Sequence, residues 1–305
     1  MSPPFEGGPV RLDIPPPPTA RAALPESFGQ RFLVFIDTEE EFDWFAPFRR
    51  DATATDTVRA LPEAQRRLRG FGIVPTYLVD YPVAADPRSA DALGAAFASG
   101  EATLGSSSNG GLTHGWSCAP SAANSFVGNL PEASEGAKLR CLLERVEQAF
   151  GRAPLAYRAG RYGLGPHSAA LLEAAGLRLD VSVRALFDYR YGGGPDFARH
   201  PLWPYWAGPR ASLLELPLGA SWTGRLRGFG GPLYRTAGAV PFLRGALDRL
   251  GLLSRIALTP EEMPVGQVLD AIRHLLAEGV SLISLSFHSP SLPPDDPDAS
   301  PGECA

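Results

Sequence analysis

The chain has 305 residues, 44% hydrophobic and 20% charged, enough for one α/β barrel or two smaller domains. Its formal charge of -5 argues against a phosphate-backbone partner, so nucleic acid is not the expected ligand. The cysteines Cys118, Cys141 and Cys304 are far apart and form no C-x-x-C pair, which argues against a zinc knuckle or redox couple and suits a reducing cytosol.

The N-terminus, MSPPFEGGPVRLDIPPPP, lacks the cationic start and apolar run of a signal peptide, and the chain has no apolar stretch of about 18 residues. A cytoplasmic protein without a membrane span is expected. Residues 1–29 are rich in Pro and Gly, offer little apolar surface to offset ordering entropy, and are expected to form a flexible arm. The same argument makes residues 293–305, PPDDPDASPGECA, a disordered tail, leaving residues 30–292 for the folded unit.

The folded unit opens with FLVFIDTEEEFDW, Phe32 to Trp44. The apolar run Phe32 to Ile36 suits a buried strand, and it breaks abruptly into Asp37, Glu39, Glu40, Glu41 and Asp43. In parallel α/β folds the carboxyl ends of strands face the active site, so acids there can accept protons or ligate a metal. Asp56 is placed to cap a helix that runs to Gly70 and buries Val58, Leu61 and Leu68. Ile73 to Val79 reads as a second strand, residues 89–98 as an Ala-rich helix stopped by Gly100, and Ala102 to Gly105 as a short third strand. A polar loop from Ser106 to Leu130, long enough to be functional or disordered, carries His114 and Trp116.

Pro131 suits the first turn of a helix that runs to Phe150 and stops at Gly151. Leu155 to Arg158 forms a strand, AGRYGLG a turn, and Pro166 to Ala175 a helix. Leu177 to Val183, Leu213 to Leu216 and Ser281 to Ser286 complete the strands, with a helix over Glu261 to Glu278 before the last. Seven strands alternating with helices predict a parallel sheet with right-handed crossovers. Polar residues follow several different strands, Asp37 the first, Arg158 at the fourth, Arg184 after the fifth and His288 after the seventh, which favours a closed or nearly closed barrel.

Several residues are placed to carry chemistry. His288 ends an apolar strand before the turn at Pro290, where an imidazole can serve as acid or base near neutral pH. In YRAGRYG, Tyr157 to Gly163, a buried arginine can pair with an acid such as Asp37 and hold it ionised. Asp180 lies inside an apolar strand; either it pairs with a partner such as His288, or it points to solvent at the strand's start. FDYRYGGGPDFARHPLWPYW, Phe187 to Trp206, concentrates aromatic rings beside Arg190, Asp196 and His200. Such rings suit the C–H faces of sugars, and they equally suit plugging one end of a barrel.

The ordered set FIDTEEEFDW, NSFVGNLP, YRAGRYGLGP, LDVSVR, PDFARHPLWPYW, LLELPL and SFHSPSL resembles the NodB-type polysaccharide deacetylases over Phe32 to Leu292, and within them the subgroup found with lipopolysaccharide and exopolysaccharide synthesis genes. The resemblance implies a distorted (β/α)7 barrel of the α/β class and a metal-dependent hydrolase that removes acetyl groups from N-acetylated sugars. By the same resemblance Asp37 is the base, Glu39 a metal ligand, Arg158 the group that orients the base, Asp180 the support of His288, and His288 the acid that protonates the leaving amine. A backbone N–H near Tyr162 meets the developing charge, and Arg161, Tyr162, Arg184, His200 and Trp206 fall on the substrate side.

The second motif departs from the pattern. Where the subgroup has something close to IGAHLHPW, this chain reads LGSSSNGGLTHGW. A gapless alignment puts Ser107 and Asn109 at the histidine positions; a shifted one matches His114 and Trp116 to the second histidine and the tryptophan. With Glu39 and His114 as metal residues, the expected cofactor is a weakly bound divalent metal, zinc. Two other classes stay open: a catalytically inactive carbohydrate-binding member of a polysaccharide-synthesis assembly, and a small-molecule amidohydrolase.

Overall fold

The computed structural model describes residues 8–41, 53–108, 121, 123–261 and 263–292. In chain order it has β1 (Arg31–Thr38), α1 (Leu61–Gly70), β2 (Thr76–Val79), α2 (Tyr81–Ala85), α3 (Pro87–Ser99), β3 (Thr103–Ser108), α4 (Glu132–Phe150), β4 (Ala156–Ala159) and α5 (Ser168–Ala174). These are followed by β5 (Leu179–Asp180), β6 (Tyr205–Ala207), β7 (Leu213–Glu215), β8 (Ala220–Thr223), α6 (Gly230–Ala237), α7 (Leu243–Arg249), β9 (Ser254–Ala257), α8 (Val265–Ala277) and β10 (Leu282–His288).

The strands β10-β1-β2-β3-β4-β5-β7 lie side by side and parallel, and β6 adds antiparallel to β7. These seven parallel strands coincide with the seven read from the apolar runs, because a strand covered on both faces writes itself as continuous hydrophobic sequence. The curled sheet leaves a gap between β7 and β10, which the segment after β9 bridges by single hydrogen bonds, Leu258 N to Gly219 O at 3.0 Å and Ser286 N to Leu258 O at 3.0 Å, while Leu218 N to Val183 O at 2.8 Å continues the β5–β7 pairing. The result is a distorted (β/α) barrel.

Helix stops follow the sequence closely. Gly100 and Gly151 end α3 and α4 with φ of 77° and 66°, a conformation glycine adopts without steric cost. Asp56 differs from expectation. It opens a 3-10 turn, Asp56–Ala60, that runs into α1, and its carboxylate accepts a bond from Arg88 Nη1 at 3.0 Å instead of capping the helix. The pairs β8–β9 and the helices α6 and α7 were not legible locally, because strands of four residues and helices of seven or eight carry too short a period to stand out.

From residue 8 onward the N-terminal arm is docked. Leu12 and Ala20 are fully buried, Val10 and Ala22 nearly so, and the arm lies along the free edge of β6: Gly208 N donates to Val10 O at 2.8 Å and Ala22 N to Pro204 O at 2.9 Å. An exposed sheet edge offers unpaired backbone groups, and a proline-rich segment loses little entropy on docking there, which the composition argument did not weigh. The expected tail after Leu292 lies outside the described residues. Deleting residues 1–23 should lower stability by roughly 3 kcal/mol, about the value of burying Val10 and Leu12. The urea midpoint reads this, and an unchanged midpoint would mean the arm contributes nothing.

Candidate active site

Strand pairing assembles the site. β1 and β10 are neighbours in a register that sets Asp37 beside His288, and β3 pairs with β4 so that Ser107 lies beside Arg158. Asp37 is buried, and its Oδ2 accepts from Arg158 Nη1 at 2.5 Å and from Ser286 Oγ at 2.9 Å. Arg158 is itself anchored by Nε to Val181 O at 3.2 Å and stands over the Phe35 ring. A charge-assisted bond of this kind in a desolvated place fixes the carboxylate in one orientation. The other carboxylate oxygen, Oδ1, has no hydrogen-bond partner among the described residues.

His288 is held by Glu261 just before α8. Glu261 Oε1 accepts from the His288 backbone N at 2.5 Å and lies 3.2 Å from His288 Nδ1, and it also accepts from Ser291 Oγ at 3.0 Å. The other ring nitrogen, Nε2, is 3.8 Å from Glu39 Oε1. Burial alone would lower the imidazole's pKa, but the Glu261 bond and the charges of Asp37 and Glu39 outweigh it and raise it to about 9. At neutral pH the ring is an imidazolium with Nδ1 committed to Glu261 and Nε2 turned toward the carboxylates.

The expected Asp180–His288 pair does not form. Asp180 is fully buried on β5, in register with Glu215 of β7, and accepts from Ser182 N at 3.1 Å and Ser182 Oγ at 2.8 Å. Burial pushes both Asp180 and Glu215 up, Glu215 well above its ordinary range, so the two carboxyls share a proton. Between β5 and β10 stand β4, β3, β2 and β1, which is why neighbouring Glu215 and not His288 became the partner. A second such pair lies under the acidic strand end, where Glu40 N donates to Asp80 Oδ2 at 3.1 Å while Asp80 Oδ1 caps α2 through Val83 N at 2.9 Å. Burial, then the Glu40 charge, pushes the Asp80 carboxyl well up.

Arg161 and Tyr162 follow β4 with φ of 54° and 60°, two consecutive non-glycine residues in the left-handed region. Such a pair stores strain and is a mark of function. The Arg161 guanidinium lies 4.3 Å over Phe126 and bonds Ser125 Oγ, while the Tyr162 ring packs 5.0 Å from Arg184. Arg184 bonds Thr259 Oγ1 at 3.0 Å and the Tyr189 hydroxyl at 3.1 Å. His200 and Trp206, expected near substrate, are elsewhere. His200 is buried with Nε2 at 3.1 Å from Leu12 O, fastening the arm, and Trp206 sits opposite Leu214 on β6, at the far edge of the sheet from His288. Their loop is largely a core plug, as the edge-to-face contact of Phe197 with His200 and the stacking of Tyr189 on Phe187 show.

Glu261, Ser286 and Glu215 were not anticipated. Glu261 follows β9, whose four-residue run gave no strand signal, so nothing local placed it at the barrel mouth. Of the residues implied to hold metal, Glu39 is in the site; Asn109, His114 and Trp116 lie outside the described residues. Among the described residues no three His, Cys, Asp or Glu side chains are arranged to hold a metal ion, and the donors at hand are the carboxylates of Asp37 and Glu39. A zinc site built from protein groups ordinarily needs three.

No family model matches the chain, and no curated protein does. A solved structure from Mycobacterium smegmatis, provisionally described as a polysaccharide deacetylase, matches 90% of this chain and 81% of its own at 17% identity with a TM-score of 0.51. This likeness shows the fold: the chain is built on the deacetylase-type (β/α) barrel. An allantoinase at 14% identity covers 87% of this chain and 79% of its own with a TM-score of 0.41. A branching enzyme from Pyrococcus horikoshii at 13% covers 86% and 63% with a TM-score of 0.42. No helix among the described residues is long and apolar enough to cross a membrane.

Two outcomes are expected. Because the folded-state pKa of His288 is raised, its contribution to stability is fully present below the unfolded value near 6.5 and is lost as pH rises through about 9. Urea unfolding at pH 6.5 and pH 9.5 should show that loss, and a His288→Gln variant should not. Purified protein should carry less than one zinc per chain after dialysis, as read by elemental analysis. One-to-one zinc insensitive to His114→Ala would mean that other residues complete the site.

Proposed function

We propose that the protein is an amide hydrolase that removes acetyl groups from N-acetylated sugars. One observation carries the reading: a buried Asp37 with one oxygen fixed by Arg158 and Ser286 and the other without a partner among the described residues, set in register beside an imidazole that Glu261 orients. Asp37 Oδ1 takes a proton from water as the water oxygen bonds the acetamide carbon. His288 Nε2 then gives its proton to the amine nitrogen as the C–N bond breaks, releasing acetate and the free amine. The backbone at Tyr162, held in its strained turn, is the candidate donor to the oxyanion.

We assign the substrate to a surface polysaccharide or its precursor on the strength of the motif set, and the compartment to the cytoplasm on the unpaired cysteine pattern. A catalytically inactive carbohydrate-binding protein on the same barrel is the second reading, favoured by Ser107 and Asn109 standing where the resembled family has histidines. Acetate release from N-acetylated oligosaccharides, measured with zinc added, separates the two. His288→Ala should lower the rate by roughly 10² to 10⁴-fold with folding intact, the scale of a lost general acid. An unchanged rate would remove His288 from the chemistry. Saccharide binding without acetate release would establish the inactive reading.

A further inference from the structure

A cavity of about 700 Å³ lies between the loop that follows β5 and the α6–α7 insertion. Arginines 190, 199, 235, 244 and 255 line it, against the acids Asp13, Asp188 and Asp196. The acids are engaged already: Asp13 by Arg11 at 2.5 Å, and Asp188 and Asp196 by Arg190 at 2.7 and 3.2 Å. Arg199, Arg235, Arg244 and Arg255 meet no carboxylate within 4.0 Å among the described residues. In a chain of formal charge -5 this is a local inversion of the general surface.

The arrangement is built, not incidental. Arg255 lies 3.8 Å over the Phe187 ring and 4.9 Å from the Tyr234 ring, with Nη1 donating to Leu186 O at 3.0 Å and Nε buried without an acceptor. Arg244 stands 4.3 Å over the same Tyr234 ring, and Trp222 packs 4.9 Å from it. Burial, together with repulsion from Arg184 and Arg244, lowers the Arg255 pKa. Arg244 and Arg255, held around the Tyr234 ring with no carboxylate within 4.0 Å among the described residues and only the more distant Asp188 charge on Arg255, repel one another at a cost that a bound anion would relieve, and the guanidinium fork matches phosphate and carboxylate oxygens. The Trp222 and Tyr234 rings and the largely exposed Tyr191 add apolar faces of the kind that suit sugar C–H groups.

We propose that this cavity binds the anionic group, phosphate or carboxylate, of an acidic saccharide, and that the substrate of the Asp37 centre therefore carries negative charge. The second half rests on the hydrolase reading; the first does not. A chain of contacts links the two places: Arg184 lies 4.3 Å over the same Phe187 ring that carries Arg255 and bonds Thr259, two residues before Glu261.

Calorimetric titration of the full chain with glucose 1-phosphate, glucuronate, glucose and inorganic phosphate tests it. Both acidic sugars should bind about 10-fold or more tightly than glucose and weaken with added salt. Arg235 and Arg244 are exposed, so the double variant Arg235→Gln/Arg244→Gln should fold normally, and it should lose about 10-fold or more of that affinity. Equal affinity for glucose, or acidic-sugar binding untouched in the double variant, would overturn the proposal, and inorganic phosphate binding as tightly as glucose 1-phosphate would overturn its saccharide part. Acidic-sugar binding at the arginines without acetate release would sink the hydrolase reading and leave the cavity's role standing.

Discussion

The ion pair between Asp37 and Arg158 is the constraint on which the barrel's upper half depends. Taking both charges out of water costs several kcal/mol per ion, and the mutual attraction offsets this only with good geometry and further hydrogen bonds. The structure supplies both: Ser286 Oγ on the carboxylate, Val181 O on the guanidinium, and the Phe35 face beneath it. Because these groups come from β1, β4, β10 and the segment after β5, the pair ties together strands that are not neighbours. The residue in register beside the arginine is the small Ser107, and two residues earlier on the same strand Gly105 lets Leu78 and Ala156 close in, since an added Cβ there would stand 2.7 Å from Leu78.

Around that pair, buried carboxyls are handled in three different ways. Glu261 sits against an imidazolium and its pKa is held down. Asp180 and Glu215 have no cation of their own and share a proton, satisfying the remaining oxygens with Ser182 and the Val183 backbone N–H. Asp80 is spent on capping α2 and on the Glu40 backbone. The acidic run 37–41 therefore does not act as one patch: Asp37 meets an arginine, Glu39 faces a histidine, and Glu40 belongs to a carboxyl pair. Alternation along the chain explains the division, since neighbouring residues leave a strand end on opposite sides.

Close approach of backbones at the mouth adds a second constraint. The turn after β4 and the segment before α4 touch through Gly128 and Gly165, where a Cβ on Gly128 would stand 2.1 Å from Gly165 N, and Gly128 N donates to Gly163 O at 2.7 Å. This contact seats the strained Arg161–Tyr162 turn beside the pocket. It also explains why NSFVGNLP and YRAGRYGLGP belong to one motif set although 25 residues separate them in the chain.

By itself the sequence determined the seven parallel strands, the helix stops at Gly100 and Gly151, and the gathering of Asp37, Arg158 and His288, because apolar runs, left-handed glycines and polar strand ends are local signals. Partner choice was decided only by tertiary structure. His288 is oriented by Glu261 rather than Asp180, His200 fastens an arm that composition alone described as loose, and Trp206 went to the far edge of the sheet. Each of these depends on which strand lies beside which and on how the β7–β10 gap is bridged. Burial makes a polar group take whatever partner lies within about 3 Å, and that neighbour is set by topology, not by spacing along the chain.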